Sequence, residues 1–139
     1  MSQENVELVR RMLEAVGPDT DSGDWLDEFC DPEIEWHDVP TFPSAGVHSG
    51  REAVRRHAAD FEDAWVDWGI DVEDIRAAED HVVARIRYRG VGKVSGVPIT
   101  GGVQNPATGA VIELRAGRIL RVRQFVTHAE ALEVVGLSE

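Results

Sequence analysis

Val6, Val9, Leu13 and Val16 recur along the start of the chain at spacings of three, four and three, one apolar stripe of a helix. Ser2 can cap that helix. Glu4 lies in its first turn, where the dipole favours negative charge, and Glu7 with Arg11 forms an i,i+4 pair on the opposite face. Gly17-Pro18 ends it and residues 19–22 read as a loop. Trp25, Leu26 and Phe29 make a second, short helix stopped at Asp31-Pro32. Residues 34–38 then predict a strand with Ile34, Trp36 and Asp38 on one face and His37 on the other. Pro40, Pro43 and Gly46 break the loop that follows. Ser49-Gly50-Arg51-Glu52 fits a capping box. From it Val54, Ala58, Phe61, Trp65 and Trp68, spaced four, three, four and three, predict a third helix with Trp65 mostly buried against a sheet.

After Gly69 the period changes to two. Residues 70–76 read as a strand with an irregularity near Glu73-Asp74, turned by Ala78-Glu79-Asp80. Residues 81–89 alternate, with Val82, Ala84, Ile86 and Tyr88 on one face and Val83, Arg85, Arg87 and Arg89 on the other. Gly96, Pro98, Gly101, Gly102, Pro106 and Gly109 interrupt residues 93–109 with bulges or a loop. Residues 110–115 and 118–126 predict a hairpin around Ala116-Gly117, and 129–132 a terminal turn of helix. Helices first and strands later give an α+β domain, helices on one face of an antiparallel sheet. The strand at 34–38 must cross to that sheet, which places Trp36, His37 and Asp38 at the seam where a pocket can form. With no repeat, low-complexity tract or linker, residues 1–139 read as one domain.

Composition narrows the partners. A formal net charge of -12 argues against nucleic acid and anionic membranes, whose binders are usually basic. The single cysteine, Cys30, offers no internal disulfide. The first residues lack a signal-peptide pattern and no stretch reaches the roughly 18 apolar residues of a membrane span, so a cytoplasmic protein is expected.

The candidate chemistry centres on Asp38. At the end of the buried row begun by Ile34 and Trp36 it would be partly desolvated, with a raised pKa suited to proton abstraction beside a carbonyl. The duller alternative is a strand-end residue capping backbone amides. His37 is a proton shuttle or a flanking wall. His57 lies one position off the helical stripe and reads as half-exposed. Tyr88 and Gln124 are the candidate partner donors. Trp36, Trp65, Trp68, Phe125 and Tyr88 could line a cavity for a flat apolar ligand, or simply be core. Arg85, Arg87, Arg89, Arg121 and Arg123 read either as an anion site or as an outer sheet face paired with acids. No His-x-x-x-His spacing, glycine-rich phosphate loop or dinucleotide fingerprint is present, so neither metal nor cofactor is expected.

The order of these pieces resembles one family. The opening helix ends Met12-Leu13-Glu14-Ala15. Gly23-Asp24-Trp25 is followed by Asp31-Pro32-Glu33-Ile34-Glu35-Trp36-His37-Asp38, then by Ser49-Gly50-Arg51-Glu52-Ala53-Val54. Ala116-Gly117-Arg118-Ile119 leads to Arg123-Gln124-Phe125, and Ala129-Glu130-Ala131-Leu132-Glu133 closes the chain. This is similar to the SnoaL-like branch of the nuclear-transport-factor-2-like (NTF2-like) superfamily. The resemblance implies a cone-shaped, curved antiparallel sheet wrapped around three helices, the cystatin-like α+β barrel, with an apolar cavity and a homodimer through the outer sheet face. It implies a small apolar or polyketide-like ligand, with cofactor-free cyclisation, isomerisation or dehydration as the chemistry, or else ligand binding or dimeric interaction without catalysis. Asp38 resembles the catalytic carboxylate of the isomerases. Their helix-1 tyrosine falls near Met12 or Leu13, and Thr127 stands where many SnoaL-like chains carry an aspartate before the last helix, as a candidate ligand contact. Residues 105–109 look inserted relative to the family hairpin.

Overall fold

A computed structural model describes residues 2–16, 24–40, 45–93, 96 and 107–137. Its elements are α1 (Ser2–Ala15), α2 (Asp24–Phe29), β1 (Cys30–His37), β2 (Val47–Ser49), α3 (Arg51–Ala64), β3 (Trp65–Ala78), β4 (His81–Gly92), β5 (Thr108–Arg115), β6 (Arg118–Phe125) and α4 (His128–Val134). The strands form one curved, unclosed sheet in the order β2-β1-β6-β5-β4-β3. Its mixed α+β layout agrees with the expected class, with a fourth helix grown from the predicted terminal turn.

The sheet is not wholly antiparallel, because β1 lies parallel to β6, pairing Trp36 with Val122 and His37 with Arg123. Parallel neighbours need a long crossover. Here α3 and four strands of the sheet, β2 to β5, lie between the two in the chain, so the crossing strand enters beside the last one. The hairpin of β5 and β6 turns on Ala116 and Gly117, both at positive φ (51° and 75°), as tight two-residue turns require.

Two local expectations are corrected. The third helix stops at Ala64, and Trp65 begins β3 opposite Gly92. Trp65, Val66 and Trp68 are aromatic or β-branched and suit a half-buried pleated surface, and pairing with β4 claims them. The ladder shifts between Val66 and Gly69, where Asp67 takes a positive φ of 52°, so a bulge turns Trp68 inward. The capping box does not form: Ser49 belongs to β2, and Gly50 is the N-cap without a side-chain hydrogen bond. The irregularity expected near Glu73-Asp74 is present as a register shift between Val72 and Asp74.

The core gathers Val9, Met12 and Leu13 of α1, Leu26 and Phe29 of α2, and the inward row Val82, Ala84, Ile86 and Tyr88 of β4. On the other face α4 covers Val83 and Val111 with Ala131 and Leu132. Gly109, expected as a breaker, is a strand residue of β5. A Cβ there would lie 2.6 Å from the Ala131 Cβ and 2.8 Å from the Thr127 carbonyl oxygen, so only glycine lets α4 sit this close. Of the predicted interruption, residues 94–95 and 97–106 lie outside the described residues, and with them 105–106 of the 105–109 insertion. The strand arginines pair with acids: Arg87 and Arg85 with Glu73, Arg89 with Asp71, and Arg121 with Glu35 and Glu113. Among the described residues, no helix is long and apolar enough to cross a membrane.

Candidate active site: a carboxylate held by two histidines

Asp38 follows the last residue of β1 and is buried at 9% exposure, in line with buried Ile34 and Trp36 as strand parity requires. Its carboxylate meets two imidazoles. Oδ1 lies 2.8 Å from His57 Nε2 and Oδ2 lies 3.0 Å from His48 Nε2. The Gly46 amide donates to Oδ2 at 3.2 Å, and the Asp38 amide donates to the Gly46 carbonyl at 3.0 Å.

Each partner is placed by its element. β2 pairs antiparallel with β1, setting His48 opposite Trp36 and hence on the face that carries Asp38. His57 comes from α3, one turn beyond buried Val54. α3 is fixed to β1 by the Gly50 amide on the Ile34 carbonyl at 2.7 Å and by Arg51 Nη2 on the Cys30 carbonyl at 2.6 Å. The two imidazoles stack, centroids 3.8 Å apart and planes 16° from parallel.

Burial pushes the Asp38 carboxyl up most strongly of any single influence. The hydrogen bonds from His57 and His48 and their positive charge together outweigh it, and the group is held below the ordinary aspartate range. This reverses the sequence expectation of a raised pKa. That expectation saw the burial and not the two partners.

Beside the clamp lies a pocket of about 390 Å³ including its open mouth, lined by Val16, Trp25, Trp36, Asp38, Val54, His57, Ala58, Phe61, Trp68 and Tyr88. Trp25 and Trp36 lie 5.7 Å apart, centroid to centroid, and Phe61 meets Trp68 edge-on at 4.6 Å. The Tyr88 hydroxyl donates to Gln124 Oε1 at 2.5 Å, and Gln124 Nε2 donates to the His37 carbonyl at 3.0 Å. Burial, then the nearby Asp38 charge, push the Tyr88 phenol up, so it stays protonated.

Of the residues singled out in the sequence, Asp38, Trp36, Trp68 and Tyr88 meet at this pocket, and Gln124 stands behind Tyr88. The others lie elsewhere. His37 faces away and bonds Glu35 Oε1 at 2.9 Å. Trp65 is only partly buried, against Phe61. Phe125 packs under α4. Thr127 caps α4, accepting from the Glu130 amide at 3.2 Å. Trp25, Phe61, His48 and His57 were not assigned to a site. For His57 a signal existed: it stands three after Val54 and four before Phe61, both pocket residues, so it shares their helix face. His48 carries no such signal, because only the β1–β2 pairing brings it to Asp38.

Asp38, His48 and His57 place one donor atom each within 4.8 Å of one another, the residue types of a two-histidine, one-carboxylate metal site. The geometry fits a metal poorly. Each Nε2 lies on its own carboxylate oxygen and, as the donor to it, offers no lone pair to an ion. A shared ion would have to displace both ring protons. As it stands the trio is a hydrogen-bonded clamp.

Residues 9–124 match the SnoaL-like domain, and the chain belongs to that family. No curated protein matches it by sequence. Among solved structures it is similar to a candidate SnoaL-like polyketide cyclase from Jannaschia sp. CCS1, with 20% identity over 89% of this chain and 85% of that one and a TM-score of 0.72. It is also similar to an NTF2-like protein from Burkholderia thailandensis E264, 21% identical over 91% and 95% of the two chains at a TM-score of 0.71. A protein of ketosteroid isomerase-like fold from Catenulispora acidiphila DSM 44928, in complex with trimethylamine, is 15% identical over 99% and 95% at 0.68. At these identities the likeness establishes the fold.

Proposed function

We propose that this chain binds a small, largely apolar molecule in the aromatic pocket and moves a proton on it, with His57 as the acid/base group and Asp38 as the residue that orients it. One observation carries this reading: His57 is at once a wall of the pocket and a hydrogen-bond partner of a buried carboxylate. Imidazole is the side chain best suited to exchanging a proton near neutral pH. A carboxylate on one ring nitrogen fixes the tautomer and leaves the other nitrogen to work. Asp38 is already accepting three hydrogen bonds and its carboxyl is held low, so it is poorly placed to take a proton from a ligand. Tyr88, tied to Gln124, shapes the polar end of the pocket. The reaction class is cofactor-free enolisation chemistry: cyclisation, isomerisation or dehydration of a polyketide-like carbonyl compound. The fold supports small-molecule binding, and a neighbour of the same fold is seen with trimethylamine. The second reading, a binding domain without catalysis, is favoured by the saturation of the Asp38 carboxylate.

Deuterium uptake next to the carbonyl of a β-diketone, followed by mass spectrometry in heavy water, separates the two. The wild type is expected to speed exchange, and His57→Gln to slow it by about 10²–10⁴-fold with ligand affinity kept. Equal exchange in both proteins would leave binding as the function.

We also propose a homodimer through the outer sheet face, where β2 and β3 leave open edges. Sedimentation at micromolar concentration is expected to give twice the 15.3 kDa chain mass. A lone monomer boundary would refute it.

A further inference from the structure

We propose that the group this pocket recognises is an alkylammonium cation, carried on the small ligand of the preceding reading, on which this inference rests. The walls are the faces and edges of Trp25, Trp36, Phe61, Trp68 and Tyr88, and the one carboxylate among them is Asp38. An aromatic box of this kind attracts a cation through the ring quadrupoles, and tryptophan does so best. Among the described residues, no lysine or arginine lines the pocket.

The hydrogen-bonding atoms point to the same ligand. Gln124 Nε2 is committed to the His37 carbonyl, so its Oε1 faces Tyr88 and takes the phenolic proton. When neutral, His57 donating from Nε2 to Asp38 keeps an accepting nitrogen. The indole N–H groups of Trp25, Trp36 and Trp68 are donors among the lining side chains. That of Trp68 has no partner and essentially no accessible surface, so it is not offered to a ligand. The pocket thus combines aromatic rings, an imidazole and one negative charge. Asp38 stays ionised under its histidine bonds, so that charge persists at neutral pH.

Calorimetric titration of the wild-type protein at mildly alkaline pH tests this, with choline and its uncharged isostere in which carbon replaces the quaternary nitrogen. The two share shape and apolar surface and differ in charge. Choline is expected to bind about tenfold more tightly or better, and both Trp36→Leu and Asp38→Asn to shrink that preference. Equal binding of the isostere would overturn the cation proposal and leave the pocket standing as an apolar ligand site. Binding of a naphthol with no binding of choline would do the same. If choline, the isostere and the naphthol all fail to bind, the cation proposal and the ligand-binding reading fall together.

Discussion

Replacing Trp68 by alanine is expected to cost about 3–5 kcal/mol of folding stability, the range for large aromatics removed from cores. Trp68 is 5% exposed, meets Phe61 edge-on and forms a wall of the pocket. Two companion variants show that this cost comes from packing. Trp68→Phe keeps most of the ring volume and deletes a buried N–H that has no hydrogen-bond partner. An unpaired buried donor is itself unfavourable, so the phenylalanine variant should lie within about 1.5 kcal/mol of wild type. Trp65→Ala should cost only about 1–2 kcal/mol, because that ring is partly exposed at the start of β3. Urea midpoints at unchanged m-value measure all three. If Trp65→Ala were as damaging as Trp68→Ala, the unbroken helical stripe read from the sequence would describe α3 better than the strand does.

That pair of tryptophans marks where the sequence pattern stops being informative. Val54, Ala58 and Phe61 continue into Trp65 and Trp68 at helical spacing, yet the same residues are good strand formers. Local period cannot arbitrate when a long-range partner, here the end of β4, competes for the segment. Where local period and long-range pairing agree, the pattern was sufficient. The alternation of residues 81–89 put Val82, Ala84, Ile86 and Tyr88 inside and the arginines outside, as found. β1 was legible from Ile34 and Trp36, but its parallel place beside β6 was not, since side-chain alternation says nothing about the direction of a neighbour.

The site was half legible for the same reason. Strand parity placed Asp38 beside Trp36, and both line the pocket. Parity could not show what Asp38 would meet. His48 reaches it through a three-residue strand and His57 through a helix 19 positions on, a constellation with no sequence spacing of its own. Phe125 and Thr127 look like site residues because they stand near the end of the last strand. The chain uses them instead to seat and cap α4.

The histidine clamp has a consequence for stability that fixes its sign. Asp38→Asn is expected to destabilise the fold by about 1.5–3 kcal/mol at neutral pH, the range for hydrogen bonds to a charged group, and the deficit should shrink in acid. The folded state holds the Asp38 carboxyl below its ordinary value, so it binds that proton less readily than the unfolded chain does. The stabilisation is therefore present above the unfolded value of about 3.9 and is lost as pH falls through the lower folded value. Asp31, held low by the Glu33 amide and Arg115, Glu35, held low by His37 and Arg121, and Glu73, held low by Arg87, give acid sensitivity of the same sign. They are shared by both proteins and cancel in the difference. Denaturant melts of wild type and variant across the acid range should show a constant gap above about pH 5 that closes below about pH 4. Had burial prevailed over the histidines, the sign would reverse: a raised carboxyl stabilises the fold when protonated, and the gap would widen on acidification. A widening gap would return Asp38 to the role of a desolvated general base. A closing gap would establish it as the fixed negative charge that orients His57.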